Sequence, residues 1–103
     1  MSSGGFVAVL EIELHFPDAE SLKAKRKDLS SIKAQLRRRL GVSVAETGHH
    51  DIWQRATLTA ALAGGSQSRV EAAADEVQRW LLARWPEGVR TERFIVSVED
   101  LRG

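Results

Sequence analysis

From Phe6 to Phe16 apolar residues occupy alternate positions, so that Phe6, Ala8, Leu10, Ile12, Leu14 and Phe16 share one face. Glu11, Glu13 and His15 lie on the other face, with Val7 and Val9 at its start. A period of two predicts a strand with one buried side. Pro17-Asp18-Ala19-Glu20 then turns the chain, and Ser21 or Asp18 is placed to cap a helix. Leu22, Leu29, Ile32, Leu36 and Leu40 recur at helical spacing, and Gly41 supplies a stop. Two further strands follow: Val42–Thr47 with Val42 and Val44 inward, and Ala56–Ala63 with Ala56, Leu58, Ala60 and Leu62 on one face.

Gly64-Gly65-Ser66 breaks this pattern, and Ser68 with Glu71 has the spacing of a capping box. Val70, Ala73, Ala74, Val77 and Leu81 carry a second helix toward Trp85, which Pro86 and Gly88 end. A last strand is expected from Val89 to Glu99, with Phe94, Val96 and Val98 inward. The order strand, helix, strand, strand, helix, strand predicts an α+β, ferredoxin-like βαββαβ sandwich. Its four-stranded antiparallel sheet would carry both helices on one face. The expected organisation is a flexible N-terminus at residues 1–5 and a single domain over 6–100.

A chain of 103 residues allows one small domain. Its 43% hydrophobic and 28% charged residues fit a folded domain and exclude a disordered or fibrous one. The apolar runs are too short to span a membrane, and Met1–Gly5 lacks the basic start of a secretion signal. The expectation is therefore a cytoplasmic protein with no membrane partner. The absence of cysteine removes disulfides, thiolate nucleophiles and thiolate zinc sites.

Charge changes the picture through its distribution. Fifteen Lys and Arg nearly balance fourteen Asp and Glu, yet residues 21–40 hold eight cations and one anion. A solvated helix face could account for many of them. Lys23, Lys25, Arg26 and Lys27, however, crowd a helix start, where the macrodipole favours carboxylates. Cations beside free backbone N–H groups suit an anion, phosphate above all. Lys25 falls inside the apolar stripe between Leu29 and Ile32, which leaves its exposure open and makes Glu46 a candidate partner.

In the expected topology, residues 15–26, 46–56 and 84–90 meet at one end of the sheet. The second of these holds Gly48-His49-His50-Asp51-Ile52-Trp53-Gln54-Arg55. Adjacent His side chains in an extended segment point to opposite faces, and His15 is the third imidazole, so a metal site is not implied. General acid–base work by His49 or His50 would suit imidazole chemistry, but no nucleophile stands nearby. Trp53 is either core packing or a surface on which a base stacks. The sheet face away from the helices is expected to carry Val7, Val9, Thr57, Thr59, Ala61, Ala63, Ile95 and Ser97. It offers no aromatic residue on its central strands, so stacking of RNA bases across the open sheet is not expected. A face of small and aliphatic residues suits a second copy of this chain, a homodimer. Acylphosphatase-like chemistry would require an arginine in the turn His15–Ser21, which has none.

Two stretches, Ser21-Leu22-Lys23-Ala24-Lys25-Arg26 and Val44-Ala45-Glu46-Thr47-Gly48-His49-His50-Asp51-Ile52-Trp53-Gln54-Arg55-Ala56, resemble the signature stretches of the YlxP-like family of small bacterial domains of unknown function. The likeness extends from about Phe6 to Glu99. It implies a ferredoxin-like fold, a bacterial cytoplasmic protein, and genes placed among translation and ribosome-maturation factors. It brings no catalytic activity. The expectation is a non-enzymatic, cofactor-free module that binds RNA or the ribosome. Lys23, Lys25, Arg26, Lys27 and Arg55 would hold phosphates, Arg37 and Arg38 would extend the track, and His49, His50 and Trp53 would approach bases or sugars. The competing expectation is a protein-interaction or homo-oligomeric regulatory domain.

Overall fold

The computed structural model describes residues 4–103, so the expected frayed segment 1–5 lies partly outside it. Strand β1 runs over Phe6–His15, helix α1 over Leu22–Leu40, β2 over Ser43–Gly48 and β3 over Arg55–Gly64. Helix α2 follows at Gln67–Arg84, β4 at Val89–Ser97, and a single helical turn, α3, at Val98–Leu101. The four strands form one antiparallel sheet in the order β2-β3-β1-β4, the ferredoxin-like arrangement.

Helix α1 begins where the Ser21 hydroxyl accepts the Ala24 N–H at 3.1 Å, a contact typically worth about 1 kcal/mol. It ends at Gly41, whose φ of 65° is left-handed and favours a residue without Cβ. Ala8, Leu10, Ile12 and Leu14 of β1 turn their alternate face toward Leu29, Ile32 and Leu36 of α1 and Val70, Ala74, Val77 and Leu81 of α2. Burial of each larger side chain in this layer is worth roughly 1.5–3 kcal/mol, and the layer fixes both helices on the same side of the sheet.

Two local expectations are corrected. Helix α2 is capped by Ser66, whose hydroxyl accepts the Arg69 N–H at 3.2 Å, and Ser68 lies inside the helix. Strand β4 has the opposite phase to the one expected. Its register pairs Ile95 with Ala8 and Arg93 with Leu10, which puts Val89, Thr91, Arg93 and Ile95 under the helices. Phe94 and Val96 pair with Val9 and Val7, so they stand on the open face in place of Ile95 and Ser97. The cause lies in α2. Gln78 bonds Thr91 at 2.5 Å and also accepts from Arg93, while Asp75 accepts from Arg93 at 2.6 Å. Polar positions can therefore sit beneath the helix. The strand stops at Ser97, whose hydroxyl caps α3, so Val98 continues no strand.

Candidate nucleic-acid interface

The three stretches expected to converge do so. The His15 N–H donates to Gly88 O at 2.8 Å, and the Phe16 N–H donates to Gln54 O at 2.7 Å. The tightest join runs from helix to loop through Lys25. Its side chain is 1% exposed, and its ammonium donates to the carbonyls of His49 at 2.5 Å, Ile52 at 2.8 Å and His50 at 3.5 Å. An ammonium has three N–H donors, and here three carbonyls take them. Glu46 supplies the opposite charge, its Oε2 3.4 Å from Nζ. That oxygen is buried without a hydrogen bond of its own, so the ion pair is its compensation.

Lys25 is thus removed from the set of phosphate contacts: an ammonium enclosed by four protein oxygens cannot also meet a ligand. Burying it costs several kcal/mol, which the carbonyls and Glu46 offset. What the clasp determines is the loop. Residues 49–52 form a turn closed by the Ile52 N–H donating to His49 O at 3.2 Å, with His49 at a left-handed φ of 59°. Because the turn's carbonyls point inward to Lys25, its side chains point outward. His50 and Asp51 are exposed, Ile52 is 46% exposed and Trp53 is 50% exposed. Trp53 is consequently no core residue.

Lys23, Arg26 and Lys27, which flank Lys25, are exposed, as is Arg55 at the start of β3. Among the described residues none of the four forms a salt bridge. Arg37 and Arg38 are exposed but lie about 20 Å along the helix from Lys23, at 1.5 Å per residue. Arg37 is already engaged there, donating to Val44 O at 2.8 Å. The candidate interface is therefore confined to the start of α1 and the loop, and the far end of α1 is separate from it.

His49 is the loop residue most fully built into the sheet. Its Nδ1 lies 3.0 Å from the Thr57 hydroxyl, which donates in turn to the Glu13 carboxylate at 2.7 and 2.9 Å. Thr57 and Glu13 are cross-strand partners, and Arg90 pairs with Glu13 from β4. None of Thr57, Glu13 and Arg90 stood out in sequence, because the register that sets them side by side is not visible in any one strand. Beside them an open pocket of about 430 Å³ is lined by Glu13, His15, Arg55, Glu87, Gly88 and Arg90. Among the described residues no three His, Asp or Glu side chains are arranged to hold a metal ion.

The sequence matches, over residues 7–100, the family described as protein of unknown function DUF503. It is 37% identical over 87 residues to the uncharacterized protein YlxP of Bacillus subtilis (strain 168), covering 82% of this chain and 91% of that protein. In three dimensions it is similar to the de novo designed protein Foldit4, with a TM-score of 0.58 over 90% of this chain and 97% of the other. At 10% identity that likeness concerns the fold alone. The match across nearly the whole chain, taken with the YlxP relative, places this protein in the DUF503 family.

Proposed function

We propose that this domain is a non-catalytic RNA-binding module that grips phosphates with Lys23, Arg26, Lys27 and Arg55 and stacks a base on Trp53. One observation carries the reading. A buried ammonium holds the loop inside out, so that a large aromatic ring stands half in water two residues from Arg55, which has no carboxylate partner among the described residues. An exposed indole on a constrained loop is costly for stability alone, whereas stacking on a base is typically worth about 1–3 kcal/mol. Phosphate contacts position a strand and discriminate little between sequences, which suits a factor recognising the shape of a structured RNA. Four neutralised phosphates give a slope of log affinity against log salt of roughly −3 to −4. Titration of a structured RNA hairpin across a range of potassium chloride concentrations measures it, and a slope near zero excludes the proposal.

A second reading rests on the corrected phase of β4. With Phe94, 48% exposed, and Val96 on the open face, one half of that face is apolar: Val7, Val9, Ala61, Ala63, Phe94 and Val96. The other half begins at Glu11 and Glu92, directly opposite each other. A two-fold axis running across the strands would overlap the apolar halves of two copies and leave both acidic rows in water at opposite ends. Sedimentation over a wide concentration range is expected to give a dimer that Phe94→Glu converts to monomer. A monomer throughout refutes it.

A further inference from the structure

The polar end of the open sheet face carries a chemistry that the loop and helix do not. Thr57 has one hydroxyl proton, and the Glu13 carboxylate can only accept, so that proton lies toward Glu13. The Thr57 lone pair then faces His49, and Nδ1 must be the ring nitrogen that bears hydrogen. In the neutral imidazole this leaves Nε2 as an acceptor without a proton. Nε2 has no partner among the described residues, on a side chain 30% exposed.

Two backbone features serve this arrangement. His49 holds a left-handed φ of 59°, uncommon for a residue with a Cβ. At Gly48 a Cβ would stand 3.1 Å from both the Cβ and the hydroxyl of Thr57, so a larger residue there would press on the relay. Arg55 is two positions from Thr57 on the same face of β3, about 7 Å along the strand. Arg90 pairs with Glu13 across β1, and both arginines line the 430 Å³ pocket. Neither forms a salt bridge among the described residues. In that neutral form, an acceptor joined through Thr57 and Glu13 to the same end of the sheet as two guanidinium groups outside any described salt bridge fits a ligand that presents a hydroxyl donor next to a phosphate.

We propose that His49, fixed in its Nδ1–H form by the Thr57–Glu13 relay, accepts a hydrogen bond from a ribose 2′-hydroxyl while Arg55 and Arg90 hold the neighbouring phosphate, selecting RNA over DNA. The proposal rests on the RNA-binding reading and deepens it, because the 2′-hydroxyl is what distinguishes the two nucleic acids at one site. Thr57 and Glu13 are positioning residues. Glu11 and Glu92, one row further in, bar a strand from continuing across the sheet, so the site takes a nucleotide at the sheet's end.

The test compares a short RNA hairpin with the DNA hairpin of the same sequence, both read by fluorescence anisotropy. The wild-type protein is expected to favour RNA by about tenfold, the worth of one net hydrogen bond. His49→Ala is expected to bring the affinities for the two hairpins together, removing the preference. The near-isosteric Thr57→Val lowers it with the thermal transition intact. Nitrogen-15 NMR of the imidazole is expected to show hydrogen on Nδ1 in the wild type and a tautomer mixture in Thr57→Val. Equal affinity for the two hairpins, a preference that survives His49→Ala, or hydrogen on Nε2 overturns this inference and leaves the RNA-binding reading standing. Displacement of the RNA by an equimolar ribonucleoside 3′-monophosphate overturns it in favour of a free nucleotide. Binding of neither hairpin overturns both readings.

Discussion

Helices α1 and α2 are built to the same plan. Each starts at a serine whose hydroxyl accepts the N–H three residues on, and neither has an acidic residue in its first turn. Each buries the fourth, eighth, eleventh and fifteenth residues after its cap: Lys25, Leu29, Ile32 and Leu36 in α1, Val70, Ala74, Val77 and Leu81 in α2. The last three are apolar in both. At the fourth, α2 has a valine and α1 an ammonium, both 1% exposed. The charge of the two helices differs as well: α2 carries three cations and three anions, α1 eight cations, Lys25 among them, and one anion. Since α2 shows that this fold is satisfied by valine and a neutral helix, the fold alone does not explain either peculiarity of α1. The buried ammonium serves the loop at 49–52, and the excess of cations is what the proposed binding of RNA would use.

The largest effect is expected at the buried position. Lys25→Met keeps the length of the side chain and adds an apolar terminus, yet it strands the carbonyls of His49 and Ile52 and the buried oxygen of Glu46. Removing one partner of a buried charge network typically costs about 3–5 kcal/mol. Urea denaturation is expected to show a loss of that size. If Lys25→Met is neutral, the fourth position of α1 is ordinary core like Val70, and the clasp has no role in holding the loop.

The same contrast marks how far the sequence is legible. Strands β1 and β3 are plain in it because their helix-facing positions are apolar without interruption, from Ala8 to Leu14 and from Ala56 to Ala60, and β2 because Val42 just before it and Val44 within it are apolar, ahead of Glu46, which turns inward to Lys25. In β4 alternation is equally plain but its phase is not. The helix-facing Thr91 and Arg93 are satisfied by Gln78 and Asp75, partners that only tertiary structure reveals, while Phe94 and Val96 take the open face. The convergence of α1 with the 49–52 loop follows from element order alone. That Lys25 is enclosed is half visible, since its helical phase puts it in the apolar stripe. Its ligands are backbone carbonyls, which no residue type announces. The relay through Thr57 was hidden for a third reason. It depends on pairing Glu13 with Thr57 across 44 residues of sequence, and a slip of one residue would turn every side chain to the other face.

A smaller effect, on binding and not on folding, separates charge that recognises from charge that merely solvates. Lys23, Arg26 and Lys27 on α1 and Arg69 and Arg79 on α2 are all exposed and outside any salt bridge among the described residues. Reversing either set to glutamate therefore perturbs no contact in the fold, and thermal transitions are expected to move little. Their surroundings are unlike. The α1 set lies within one turn of Lys25, at the end of the helix that Lys25 ties to the loop, so under the RNA-binding proposal its reversal replaces attraction by repulsion at the phosphate contacts and is expected to weaken binding of a structured RNA on the order of a hundredfold. The α2 pair has no exposed aromatic loop held beside it, and its reversal is expected to change affinity less than about twofold at near-physiological salt, where distant charges are screened beyond about 8 Å. Equal losses from the two helices would show that the protein attracts nucleic acid only through its summed charge. The difference between α1 and α2 would then be one of stability alone.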